Sequence, residues 1–253
     1  MINSLFKNLL FSLIILFGIQ SQAQETNIMV RVKAKDAKFI GTSIGGAQVQ
    51  IKDSRTGAVL AEGITQGSTG NTEVIMNQPH QRRENLSDEE TAGFLAKLDI
   101  EEPTFVTIEA IGPINAKQAE IKSSTQVWVI PERDILGDGI VLEIPGFIVD
   151  VLSPQRHQII SKDSAVKIKA NVIMTCGCPT TPGGTWNSDD YEVKAIISKE
   201  GQKVQEINLT YAGEANTFLG EFKGNSGFYE VIVFSYDEQT GNTGVDKSNF
   251  IIR

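Results

Sequence analysis

The sequence predicts an all-β chain of two β-sandwich domains in tandem, over residues 24–153 and 154–253, the first with a short inserted helix. Three observations carry that expectation. Apolar and polar residues alternate with period two in run after run, as in Val166-Lys167-Ile168-Lys169-Ala170. The runs are short and bounded by Gly, Asn, Asp and Pro, the composition of strands joined by turns. They also fall into two groups on either side of Ser153-Pro154, and the roughly 230 residues that hold them suit two domains of ordinary size.

Residues 1–23 come first and read differently. Lys7 supplies a positive n-region, Leu9 to Ile19 form an apolar run interrupted only by Ser12 and Gly18, and Ser21-Gln22-Ala23 places small residues where a signal peptidase reads. A bilayer core needs about 20 apolar residues, so the run fits a cleaved secretory signal better than an anchor. No Cys at the cleavage point is there to take a lipid, and no later stretch is long and apolar enough to span a membrane. The mature chain, Gln24 to Arg253, is therefore expected in the periplasm or at the cell surface, without a transmembrane segment. It carries 22 basic against 31 acidic residues, a formal charge of −9, because the leader removes only Lys7. That balance disfavours a nucleic-acid partner, since phosphate binding is driven by clustered Lys and Arg. The one dense basic pair, Arg82-Arg83, is followed by Glu84, Asp88, Glu89 and Glu90, which reads as a solvated loop.

In the first domain Ile28 to Lys35 alternates as a strand. Gly45 to Asp53 repeats the signal before a Thr56-Gly57 turn, and Val59 to Thr65 returns. Val49 and Ile51 then share one face, with Gln48, Gln50 and Lys52 on the other, as a half-buried antiparallel sheet requires. The run Gly45-Gly46-Ala47-Gln48-Val49-Gln50-Ile51-Lys52-Asp53-Ser54-Arg55-Thr56-Gly57 and on to Thr65 resembles the opening of a carboxypeptidase-regulatory-like domain, a transthyretin-like β-sandwich. The resemblance implies a surface, spacer or partner-binding module. The hydrolase branch of the wider transthyretin family uses His and Arg residues and a Tyr-Arg-Gly-Ser tail; this chain has only His80 and His157 and ends Asn249-Phe250-Ile251-Ile252-Arg253. Ser87 and Glu90 form a capping box ahead of Phe94, Leu95 and Leu98, which predicts a short amphipathic helix closing an edge or end of the sandwich. Thr104 to Ile111 and Gln126 to Ile130 read as strands. Gly139 to Leu152 is dense enough in apolar residues to belong in a core, with a turn or bulge at Pro145-Gly146.

In the second domain Ala165 to Thr175 alternates cleanly. Tyr191 to Ser198 and Val204 to Thr210 form a hairpin around Lys199-Glu200-Gly201-Gln202. Thr217 to Phe222, Gly227 to Tyr236 and Val245 to Ile252 complete the set. The stretch Gly227-Phe228-Tyr229-Glu230-Val231-Ile232-Val233, with Asp237 and Gly241-Asn242, resembles the penultimate strand and turn of bacterial immunoglobulin-like or fibronectin-like modules.

The unusual chemistry lies in Met174-Thr175-Cys176-Gly177-Cys178-Pro179, which holds both cysteines of the chain. Export to an oxidising compartment favours a disulfide. A bridge across one residue nevertheless removes little unfolded-chain entropy, and its Cα separation is expected to be strained. Three arrangements stay open. One is a Cys176–Cys178 bridge, structural or weakly redox-active. The second is a soft-metal site in which both thiolates and the Met174 thioether hold copper. The third is free thiols, an intermolecular bridge or a loop presented to a partner. Zinc lacks an obvious set of four ligands.

In immunoglobulin-type sandwiches the loop after the second strand and the loop before the last strand cluster at one end. That predicts a surface for a protein or cell-surface ligand built from Trp186, Asp189, Asp190, Asp237 and Asn242, with Trp186 alternatively plugging the sandwich. Asp189, Asp190 and Asp237 are of the ligand type calcium takes, but no loop has the spacing of a known calcium motif. The sequence has no Gly-rich phosphate loop, no Gly-x-Ser-x-Gly elbow and no His-Glu-x-x-His. The reading is a non-catalytic binding or accessory protein, with a copper-binding or thiol-redox protein as the alternative.

Overall fold

The computed structural model describes residues 25–253, so the leader read over residues 1–23 lies outside the described residues. Sixteen strands dominate it. β1 (Thr26–Ala34) follows the alternation of its sequence, burying Ile28, Val30, Val32 and Ala34 on one face. It is the centre of a three-stranded sheet, antiparallel to β4 (Phe94–Leu98) and parallel to β7 (Ile135–Ile144). Opposite lies a four-stranded antiparallel sheet in the order β3 (Val59–Ile64), β2 (Gln48–Asp53), β5 (Thr104–Gly112) and β6 (Ile121–Val129). The β2–β3 turn forms because the Asp53 carboxylate accepts the Arg55 and Thr56 amides at 2.7 and 2.9 Å, the local bonding that makes Asp a turn former. Ile28, Val30, Val49, Ile51, Val106, Ile108 and Leu142 fill the space between the two sheets.

The helix expected around Ser87 to Leu98 is not formed. Phe94–Leu98 is strand β4, with Ala96 and Leu98 buried and Leu95 and Lys97 exposed. Ser87 does not cap a helix: its amide and hydroxyl both bond the Asp138 carboxylate, at 2.8 and 2.5 Å. A helix this short is marginal on its own, whereas pairing with β1 satisfies the backbone and buries Ala96 and Leu98. The helical segments among the described residues are single turns, at Thr42–Ile44, Glu73–Asn77, Lys117–Ala119 and Ser188–Asp190.

Pro145-Gly146 is where the chain changes sheets. Pro145 donates no hydrogen bond, and Gly146 adopts φ 117°, a conformation closed to residues with a side chain. The strand after it, β8 (Phe147–Ser153), pairs with β10 (Val166–Met174), so the exchange of partners comes ahead of the Ser153-Pro154 step. β8 and β10 share a sheet with β14 (Thr217–Phe222) and β13 (Thr210–Tyr211). The facing sheet runs β12 (Gln202–Asn208), β11 (Tyr191–Lys199), β15 (Gly227–Asp237), β16 (Thr243–Ile252) and β9 (Gln158–Ile160), with β9 parallel to β16. Counting β8, β10, β11, β12, β14, β15 and β16 as the main strands, the first, second and fifth lie against the third, fourth, sixth and seventh, an immunoglobulin-like order. The β11–β12 hairpin closes at Lys199 and Gln202, as its sequence predicts.

Candidate functional site

The Cys176–Cys178 loop leaves the end of β10. The Gly177 amide donates to the Met174 carbonyl at 2.7 Å, and the Met174 amide donates to the Cys178 carbonyl at 3.1 Å. Gly177 makes this tight reversal with φ 80°. The two sulfurs are joined as a disulfide with a Cα separation of 5.4 Å. That separation falls within the ordinary range for a disulfide. Cys176 is fully buried and Cys178 nearly so, in the core of the C-terminal sheet pair. In this state neither sulfur is a thiolate, the form a soft metal takes. The Met174 sulfur is buried beside the Tyr191 hydroxyl, which donates to it at 3.8 Å. The Cys176, Cys178 and Met174 copper set is therefore not assembled in the bridged loop. Among the described residues, no group of three or more His, Cys, Asp or Glu is placed to hold a metal ion.

The predicted ligand surface comes together only in part, and it faces the chain itself. The Trp186 indole is buried and donates from Nε1 to the Asp36 carbonyl at 2.9 Å. Asn242 is fully buried: its Nδ2 donates to the Lys35 carbonyl at 3.1 Å and its Oδ1 accepts the Gly146 amide at 2.9 Å. Ala34 and Ala37 join the core of the C-terminal sheet pair, and Met76 packs against it. A second contact is made by Gln118, whose Nε2 donates to the Asp150 carboxylate at 2.5 Å and to the Val149 carbonyl at 3.2 Å. These groups make a clasp between the two sheet pairs. Asp237 holds its own turn, accepting the Gln239 amide at 2.9 Å and the Thr240 hydroxyl at 2.6 Å. Asp189 and Asp190 sit exposed outside the clasp. Sequence reasoning missed Lys35, Asp36, Ala37 and Gln118, since Lys35-Asp36-Ala37-Lys38 has the composition of a solvated turn and Gln118 lies in a connection.

Carboxylates gather at the clasp, and their titration reflects it. Burial, then Asp237 and Glu143, raise the Asp36 carboxyl above its ordinary value, with Lys33 opposing. Burial also pushes the Tyr191 hydroxyl far up, reinforced by Asp237, Asp36 and Asp190. Asp150 is raised by burial and by Asp246, against hydrogen bonds from Asn171 and Gln118. A carboxyl whose pKa is raised on folding destabilises the fold in its charged form. That penalty is present above the raised pKa, shrinks as pH falls through it, and is gone below the unfolded value. Asn tolerates the positive φ of 55° that Asp36 adopts. Asp36→Asn is therefore expected to raise the melting temperature at neutral pH, with the gain disappearing as the wild-type carboxyl protonates; melting curves of both proteins across the acid range check it. Solvent access to Asp36 keeps the effect small.

No protein-family model and no curated protein matches the chain. Among solved structures it is similar to fibronectin(III)-like modules of Clostridium thermocellum CbhA, at 13% identity over 93% of each chain with a TM-score of 0.29. It is also similar to an I-band fragment of titin, at 15% identity over 92% of this chain and 66% of that one, with a TM-score of 0.25. An engineered protein aligns at 15% identity over 46% of this chain, with a TM-score of 0.33, and the alignment spans 22% of that protein's length. Among the described residues no helix is long and apolar enough to cross a membrane.

Proposed function

We propose that the chain is an exported, non-catalytic binding or accessory protein of the periplasm or cell surface, made of two sandwich domains in tandem. In this reading the N-terminal domain is carboxypeptidase-regulatory-like and ends near Pro145-Gly146, and the C-terminal domain is immunoglobulin-like. One observation carries it: the loop with the unusual chemistry closes on the chain itself. The disulfide is buried, and Trp186 and Asn242 direct their polar groups to Asp36 and Lys35. The loop end of the C-terminal domain thus fixes the orientation of its neighbour, and partners are met by the exposed sheet faces. One such face carries Trp128, 58% exposed, with its ring 5.1 Å from that of Phe105. A face of this kind suits a protein or cell-surface ligand.

Native mass spectrometry of the protein purified without reductant, paired with thiol labelling after denaturation, tests the reading. The expected result is a mass two hydrogens below the dithiol form, no labelled cysteine and no bound metal. Two labelled thiols with copper bound in the native state would replace it with the copper-handling alternative.

A further inference from the structure

Arg82-Arg83 occupies a part of the molecule that the clasp leaves unused. Asn77 to Asn85 is an unbroken exposed stretch within the connection from β3 to β4. It is anchored on one side by buried Ile75 and on the other by the Leu86 and Ser87 amides, which donate to Asp138 at 2.9 and 2.8 Å. At its middle, the Glu84 amide donates to the Gln81 carbonyl at 3.1 Å and the Gln81 amide donates to the Glu84 carboxylate at 2.8 Å. This turn displays both arginines at its tip, with Arg83 at φ 70°. Among the described residues neither guanidinium has an ion-pair or hydrogen-bond partner, whereas Arg55 is paired with Glu102 and Lys117 with Glu120. Other exposed cations sit on strands, such as Lys167 on β10 and Lys203 on β12.

We propose that the Arg82-Arg83 turn is a processing site for an Arg-directed endoprotease, and that the cut protein stays folded. Such an enzyme presents an anionic pocket to one guanidinium and needs several accessible residues on either side of the scissile bond; this stretch is exposed throughout, and the two Gln81–Glu84 bonds have to open. Water adds across the peptide bond after Arg82 or Arg83, leaving a carboxylate on the arginine and an ammonium on the residue that follows. The pieces remain joined because the sheets interlock across the cut. β1 lies between β4 and β7, both after the cut, and β2, which with β3 precedes it, pairs on its other side with β5, so each sheet joins strands from both pieces. Arg31 adds bonds from the first piece to the carbonyls of Thr91, Ala92 and Gly137 in the second. The inference is independent of the clasp and of export.

Limited trypsin digestion of the native full chain, followed by mass spectrometry of the fragments and gel filtration of the digest, tests it. The first cut is expected after Arg82 or Arg83, with both fragments eluting together at the position of the intact protein. The double substitution Arg82→Gln, Arg83→Gln should slow that first cleavage at least tenfold and leave the melting temperature unchanged. A first cut elsewhere, fragments that separate under native conditions, or an unaltered rate in the double variant would each overturn the proposal.

Discussion

Trp186→Ala is expected to lower folding stability by about 3–5 kcal/mol, the usual cost of truncating a buried Trp. The side chain is 6% exposed and packs in the core of the C-terminal sheet pair. Its loss therefore removes apolar burial and also leaves the Asp36 carbonyl without the indole donor. Trp186→Phe separates the two contributions. It keeps most of the ring contact and forfeits the hydrogen bond, for a loss nearer 1 kcal/mol. Urea unfolding of the three proteins, with the slope compared as well as the midpoint, checks the order wild type, Phe, Ala.

Arg31→Met is expected to cost about 3 kcal/mol, through polar bonding and not packing. The Arg31 guanidinium is buried on β1 and donates to the carbonyls of Thr91, Ala92 at 3.0 Å and Gly137 at 3.3 Å. Burial lowers its pKa, and Asp138 and Asp88 oppose the change. Met fills much of the same volume while leaving those carbonyls unpaired, so the connection into β4 should loosen first. Hydrogen exchange read at Ala96 and Leu98 is expected to accelerate well before exchange in the C-terminal sheet pair does. Equal acceleration in both would place Arg31 in global stability alone.

The legible parts of this fold are those where side-chain pattern and burial say the same thing. Val166, Ile168, Ala170, Val172 and Met174 alternate in sequence and are all buried on β10. Lys199 to Gln202 reads as a hairpin because Glu200 and Gly201 take the positive φ that a two-residue connection requires. Phe94 to Leu98 misleads because Phe94 and Leu98 fit a helical face as well as a strand, and the capping signal at Ser87 is spent on Asp138, distant in sequence. The clasp leaves still less trace. Trp186 and Asn242 bond to the main-chain carbonyls of Asp36 and Lys35, groups that every residue carries, so the identities at those positions do not announce the contact. The cysteine pair was legible as a set of alternatives, and the buried, bridged loop seated on Gly177 is one of them.

Small-angle X-ray scattering of the wild-type chain beside Trp186→Ala tests most directly whether these loops hold the two sheet pairs together. A clasp made by Trp186, Asn242 and the Lys35–Asp36 turn predicts a wild-type profile fitted by one fixed arrangement, and a broader distribution in the variant. A wild-type profile that requires many arrangements would contradict the clasp and return the loop end of the C-terminal sandwich to the role of a free ligand surface.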